Sequence, residues 1–280
     1  MFLVTGATGN VGRELVEQLT ASGERVRVFV RDPRKVAHWG NRVEVATGDF
    51  ADADGFGRAA AGTGGAFLMN GAAEVADFPR LIEAAQKQKL PRIVFLSSLL
   101  ASMPEFQIGR VHEEKENAIR QSGIGAYFLR AGGFMSNTFQ WAPSIRAQGV
   151  VYNPMGTGRS APIAPEDIAA VAAKLLVSPD GAEHSPVLTG DELLSVPEQV
   201  ETLAKVLGKS IRSVDVPAEA AIEGMQRNGL PAQLAQAVGE SIAAVRDGRA
   251  EHLTNTVERI TGRKPMSFAQ WAEKHAGQFR

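Results

Sequence analysis

Met1-Phe2-Leu3-Val4-Thr5-Gly6-Ala7-Thr8-Gly9-Asn10-Val11-Gly12 is the stretch that decides the fold of this chain. Its first five residues read as a short apolar strand. Glycines recur at 6, 9 and 12, and a helical pattern follows with Val11, Leu15, Val16 and Leu19 on one face. Strand, glycine turn and helix in that order build a phosphate cradle. Gly6 permits a tight turn, Gly9 admits a pyrophosphate to the backbone, and Gly12 lets helix and strand pack closely. Free amides at the helix start face the anion. Gly6, Thr8, Gly9, Asn10, Val11 and Gly12 are therefore the expected cradle of a dinucleotide.

The end of the next strand bears on which dinucleotide. Arg25-Val26-Arg27-Val28-Phe29-Val30 alternates as a strand. It stops about 20 residues beyond the glycines, where an NAD site places an acid on the ribose 2′-hydroxyl. Arg31 stands there instead, followed by Asp32-Pro33-Arg34-Lys35. A guanidinium binds a 2′-phosphate in a charge-assisted fork, whereas an acid repels it. Asp32, with Pro33 behind it, reads as a helix-start cap. NADP(H) is thus expected in preference to NAD(H). Arg34 and Lys35 also read as a solvated basic loop.

A chain of 280 residues suffices for one large α/β domain or for a core plus a smaller lobe. A formal charge of −1, with Lys and Arg scattered, argues against nucleic acid as a partner. No apolar run approaches a membrane span, and the first strand does not read as a signal peptide. A soluble, cytoplasmic protein is expected. The absence of cysteine excludes disulfides, thiolate catalysis and zinc–sulfur sites.

Strand and helix patterns keep alternating. Strands are expected over 43–49, 65–71, 92–98 and 126–132, with helices over about 77–89 and 111–121. Repeated units of this length imply an α/β, Rossmann-type, doubly wound parallel sheet. Ligands bind beyond the carboxyl ends of such strands. Asp49, Phe50, Met69, Asn70, Gly71, Ser97, Ser98 and the run Gly132-Gly133-Phe134 are thereby placed along a cofactor groove. Ser97 and Ser98 read equally well as strand-end hydrogen-bonders. Residues 1–150 form the expected NADP(H)-binding core. Residues 151–280 form a smaller α/β lobe on the substrate side, interleaved with it. Strands over 185–189 and 210–216 are expected there, with helices over 164–176, 197–207, 218–227, 231–246 and 267–276. Asp167 reads as helix-start electrostatics. His38 falls in a loop, and His184, His252 and His275 lack acidic or histidine partners at metal spacing, so no metal site is expected.

Taken together these residues resemble atypical short-chain dehydrogenases/reductases of the NmrA-like group. The resemblance is carried by the opening glycines, Arg31-Asp32-Pro33, Gly48-Asp49-Phe50, His112-x3-Glu116 and Ser122-Gly123. Leu129-Arg130-x3-Phe134-Met135 and Thr261-Gly262-Arg263-x-Pro265-x-Ser267-Phe268 extend it over essentially the whole chain. It implies a Rossmann fold and a nicotinamide cofactor. The group includes NADPH-dependent quinone reductases, triphenylmethane-dye reductases, isoflavone-type reductases and redox-sensing regulators, so it fixes the reaction less well. By this resemblance the family's lysine position holds His112 and its tyrosine position Ile108.

Most short-chain dehydrogenases pair Tyr-x3-Lys, in which lysine lowers the tyrosine pKa for proton transfer. This chain has two tyrosines, and the residues four on from Tyr127 and Tyr152 are Ala131 and Gly156. An acceptor that needs no strong general acid suits such a site: a quinone, an azo group or a cationic dye. His112 is the candidate catalytic and cofactor-binding residue, able to hydrogen-bond the nicotinamide ribose or to give a proton, since imidazole titrates near neutrality. It also reads as part of a solvated charged run, 112–116. Glu116 is expected to orient His112 or cap local structure, and Lys115 to lie at the surface. Phe134, Met135, Asn137, Trp141 and Tyr152, with Phe139 and Met155, are the expected substrate-pocket lining, although each also reads as plain core. Two functions follow: an NADPH-dependent reductase of quinone-like or other conjugated electrophiles, or a non-catalytic NADP(H)-binding redox sensor. A small-molecule electron acceptor is the expected partner, with a homodimer left open.

Overall fold

A computed structural model describes residues 1–69, 71, 74–179 and 181–280. The first half alternates as its apolar periodicity requires: β1 (Phe2–Thr5), α1 (Asn10–Ala21), β2 (Val26–Val30), β3 (Val43–Thr47), α2 (Ala53–Ala60), β4 (Ala66–Met69) and α3 (Phe78–Lys87). β5 (Arg92–Ser98), α4 (Gln107–Gln121) and β6 (Gly125–Ala131) complete it. There follow α5 (Ala142–Gln148), β7 (Val150–Asn153), β8 (Arg159–Ser160), α6 (Pro165–Val177), β9 (Val187–Leu188) and β10 (Leu194–Ser195). The chain continues through α7 (Val196–Leu207), β11 (Arg212–Asp215), α8 (Ala218–Arg227), α9 (Ala232–Arg246), α10 (Thr256–Thr261) and α11 (Phe268–Lys274).

Seven strands form one parallel sheet in the order β3-β2-β1-β4-β5-β6-β9. This is the expected doubly wound arrangement, and the winding direction reverses between β1 and β4. Strand residues alternate between its two faces. Val4, Val28, Phe67, Val94 and Leu129 pack on one side with α1 and α6. Leu3, Phe29, Leu68, Phe95 and Phe128 pack on the other with α2, α3 and α4.

A third cluster lies in the C-terminal region, where Ile145, Val151, Val200, Leu203, Phe268 and Trp271 meet. Two small sheets belong to it, a parallel β7–β11 pair and an antiparallel β8–β10 pair. The first core also takes elements from beyond residue 150. Ile168 and Leu175 of α6 and Val257 of α10 are buried in it, and β9 pairs with β6.

Several elements differ from the sequence expectations: α5, β7, β8, β10 and α10 have no counterpart among them, and two further differences concern α4 and α2. α4 begins at Gln107, a turn before the expected 111. α2 has no counterpart among them because Gly55 and Gly57 depress helix propensity. Asp52 caps it by accepting from the Gly55 amide at 2.8 Å. Gly57 faces Ala84 of α3 closely enough that a Cβ would press on it at 3.3 Å. His38 lies in a 3-10 segment, Pro33–Arg42, whose start Asp32 caps as expected.

Candidate active site

Parallel strands bring all their carboxyl ends to one edge of the sheet. There Gly6 turns the chain with φ at 63°, and Met69 packs against it where a side chain would stand. A Cβ on Gly12 would collide with the Gly6 carbonyl, so helix and turn touch backbone to backbone. Gly9, at the N-cap of α1, supplies no side-chain cap, and the first turn carries no acid. The helix therefore presents amides and the positive end of its dipole to the groove. Thr5 staples β1 to β4, donating to the Phe67 carbonyl at 3.0 Å and accepting from the Met69 amide at 3.2 Å. Asn10 reaches across to the Ser136 hydroxyl at 3.1 Å, bringing the segment after β6 beside the cradle. Thr8 is exposed, whereas Val11 is buried in the first core.

Arg31 emerges at the end of β2 with its side chain 84% exposed and its Nε 3.9 Å from Asp49 Oδ2. Asp49 also accepts from the Ala51 amide at 2.9 Å, and the Phe50 ring meets Phe29 edge-on at 5.4 Å. Gly71 is exposed. Asn70 lies outside the described residues.

At the end of β5, Ser97 is buried and donates to Glu116 Oε1 at 2.6 Å. Ser98 accepts from the Leu100 amide at 3.2 Å at the start of a 3-10 turn, Leu99–Ser102. Both serines thus make strand-end bonds.

The helix α4 corrects the solvated reading of the charged run 112–116 at His112, Lys115 and Glu116. His112 is only 8% exposed, with its ring 6.2 Å from that of Phe95. Burial, with help from Lys115 and against Glu116, pushes its pKa down to about 4. At neutral pH it is therefore an uncharged hydrogen-bonding group with no imidazolium proton to give. Its Nδ1 is buried without a hydrogen-bond partner among the described residues. Lys115, expected at the surface, is 3% exposed with its ammonium 5.2 Å above the Phe78 ring, because α3 covers this side of α4. Burial lowers its pKa. Glu116 makes no hydrogen bond to His112 among the described residues. It is wholly buried and accepts from Ser97, Arg120 and Arg130. Burial alone would raise its pKa, but bonds from Arg130, Ser97 and Arg120 outweigh that and hold it below the ordinary range.

The expected pocket lining divides. Phe134 is half-buried at the end of β6, bridging to Ile163, and Asn137 is exposed on the following turn. Met135, Phe139, Trp141 and Met155 belong to the third apolar cluster, with Phe139 only 5.1 Å from Trp271. Tyr152 is 50% exposed and donates to Gln148 at 3.0 Å. Its neighbours Val151 and Asn153 are buried, so strand alternation turns Tyr152 outward. A cleft of about 630 Å³ does open in the C-terminal region, bounded by Asn153, Pro197, Val200, Ile211 and Arg246. None of the expected pocket residues lines it.

His275 has an acidic partner after all: its Nε2 lies 2.8 Å from Glu166 Oε1, which also accepts from Lys274 at 2.6 Å. Asp167 does more than face a helix start. It accepts from Arg263 at 2.8 Å and from the Met266 amide at 2.7 Å, anchoring the C-terminal segment. Among the described residues no group of three or more His, Cys, Asp or Glu is arranged to hold a metal. None of the helices there is long and apolar enough to cross a membrane.

The profile of the NmrA-like family matches residues 1–271. The chain belongs to the NmrA-like family. It is 34% identical over 281 residues to the (4-alkanoyl-5-oxo-2,5-dihydrofuran-3-yl)methyl phosphate reductase of Streptomyces griseus, spanning 100% of this chain and 99% of that one. It is 31% identical over 284 residues to the NAD(P)H azoreductase of Xenophilus azovorans, again spanning 100% and 99%. Its fold is similar to that of the NADPH-dependent quinone oxidoreductase QOR2 of Escherichia coli, solved in complex with NADPH. The TM-score is 0.84 at 24% identity, over 98% of this chain and 99% of that one. In this NmrA-like chain the glycine cradle, Arg31 and Phe134 follow the carboxyl ends of β1, β2 and β6.

Proposed function

We propose that this NmrA-like protein is an NADPH-dependent reductase that delivers hydride directly to a quinone-like or other conjugated electrophile. The observation that carries the reading is the uncapped start of α1 at the β1/β4 reversal, with an exposed guanidinium, Arg31, just beyond the neighbouring strand β2. The residues present fit a dinucleotide. A backbone-only turn leaves room for a pyrophosphate at Gly6, Thr8, Gly9, Asn10, Val11 and Gly12. Arg31 is free to take a 2′-phosphate, since Asp49 lies only within loose reach. Asp49, Phe50, Met69, Gly71 and Ser97 are the residues proposed to border the groove. The buried Nδ1 of His112 suits a ribose hydroxyl.

NADPH, when bound, supplies the hydride. The chain's own part is to fix the ring, exclude water and border an acceptor with Phe134 and Asn137. His112, neutral at working pH, orients and does not act as an acid. Quinones and azo groups take their protons from water, so the missing Tyr-x3-Lys pair is no obstacle. The reductase activities of the Streptomyces and Xenophilus relatives support this class of reaction.

The test is NADPH oxidation by the purified protein with quinones, an azo dye and a triphenylmethane dye, with NADH in parallel. Saturable turnover with one acceptor class is expected. Tight NADPH binding with no turnover on any acceptor would replace the reading with that of a redox sensor.

A further inference from the structure

We propose that Glu116 is a positioning residue, holding α4, the helix that carries His112, and the turn at 99–102 in place for the nicotinamide half of the dinucleotide; this rests on the reading of the groove above. Glu116 is 0% exposed, so it acts only through what it holds. Its Oε1 accepts from Ser97 Oγ at 2.6 Å and from Arg130 Nε at 3.0 Å. Its Oε2 accepts from Arg130 Nη2 at 2.7 Å and from Arg120 Nη2 at 2.6 Å. Arg130 continues to Ser102 Oγ at 2.7 Å. One carboxylate thus ties together the end of β5, the end of β6, the turn that follows β5, and α4.

The register explains the convergence. Ser97 and Arg130 are paired across β5 and β6, so both side chains leave the same face of the sheet, the face that α4 covers. His112 lies four residues before Glu116 and shares its side of the helix. Energy explains why the group calls for a role. A buried carboxylate with two guanidiniums pays a desolvation cost that well-packed apolar residues avoid, so such a triad adds little net stability. It adds direction at the last pairs of the β5–β6 ladder and, through Arg130 and Ser102, in the turn beyond them that the ladder does not reach.

The experiment compares the full-length protein with Glu116→Gln, the doubly apolar Glu116→Leu/Arg130→Met, His112→Ala, and Glu116→Gln/His112→Ala. NADPH affinity is read by fluorescence titration, 2′,5′-ADP affinity by calorimetry, and the fold by thermal midpoint. The second ligand carries the adenosine half alone. Both Glu116 variants are expected to weaken NADPH about fivefold or more, the loss of roughly one hydrogen bond. Binding of 2′,5′-ADP should stay within twofold, and the doubly apolar variant should melt within a few degrees of wild type. Adding His112→Ala to Glu116→Gln should cost nothing further, the signature of a shared pathway.

Equal losses for both ligands, an NADPH change below twofold, or additive losses with His112→Ala would each overturn the positioning role. So would failure of both Glu116 variants to fold, which would assign the carboxylate to stability. Wild-type protein that binds neither ligand would instead overturn the cofactor reading, and the proposal with it.

Discussion

Three residues matter most at the smallest scale: Arg31, Gly12 and His112. Arg31 is almost bare of partners. Replacing it with Ala should weaken NADPH about tenfold or more, the value of a charge-assisted bond, while NADH affinity stays within twofold. Equal losses in paired titrations would contradict the phosphate role. Gly12 packs on the Gly6 carbonyl with no room for a methyl. Gly12→Ala should therefore cost about 1–3 kcal/mol in denaturant unfolding and loosen the cradle. His112 predicts a pH dependence. Its pKa is about 4 when folded, against an ordinary 6.5. Between those values the unfolded chain binds a proton that the folded one refuses, so stability falls as pH drops from 6.5 towards 4, by up to about 3 kcal/mol. His112→Gln should flatten that acid limb in urea melts at pH 7 and pH 4.5.

Single elements show which parts of the chain announce themselves. α7 opens with a reciprocal cap, in which Ser195 and Glu198 satisfy each other's backbone amides, and closes on Gly208 at φ 62°. Ser195→Ala should cost about 1 kcal/mol and lower the melting midpoint by about 2 °C, as read by calorimetry. The cradle, the central strands and most helices were legible because strands covered on both faces must be apolar runs, and helices on a core must show an apolar stripe. α2 was hidden by its glycines. The run 112–116 misled for a different reason. Composition marks it as a wetted face, yet the groups that make it a buried one are remote in sequence: Arg130 bonds Glu116 from 14 residues away and Ser97 from 19. The partner of His275 lies 109 residues back. Periodicity reports which side of a helix is apolar, and it is silent about a guanidinium delivered by another strand.

For the molecule as a whole, the first 150 residues do not own their core. α6 lies against α1 and is joined to it by Gln18, which donates to the Glu166 carbonyl at 3.0 Å, while α10 contributes Val257. A fragment of residues 1–150 should therefore show no cooperative melt, whereas the full chain should give one calorimetric transition; two separated transitions would mean independent lobes. The pairing of β9 with β6 carries a cost during synthesis. The ribosome releases the glycine turn and β6 long before the outer strand of the sheet, Val187–Leu188. Until then the nascent polypeptide exposes an unpaired β6 edge and the bare flank of α1, surfaces that invite pairing with neighbouring chains. Slow translation through that interval, or a shortage of the chaperones that shield such edges, is where this protein is most exposed to aggregation in a cell.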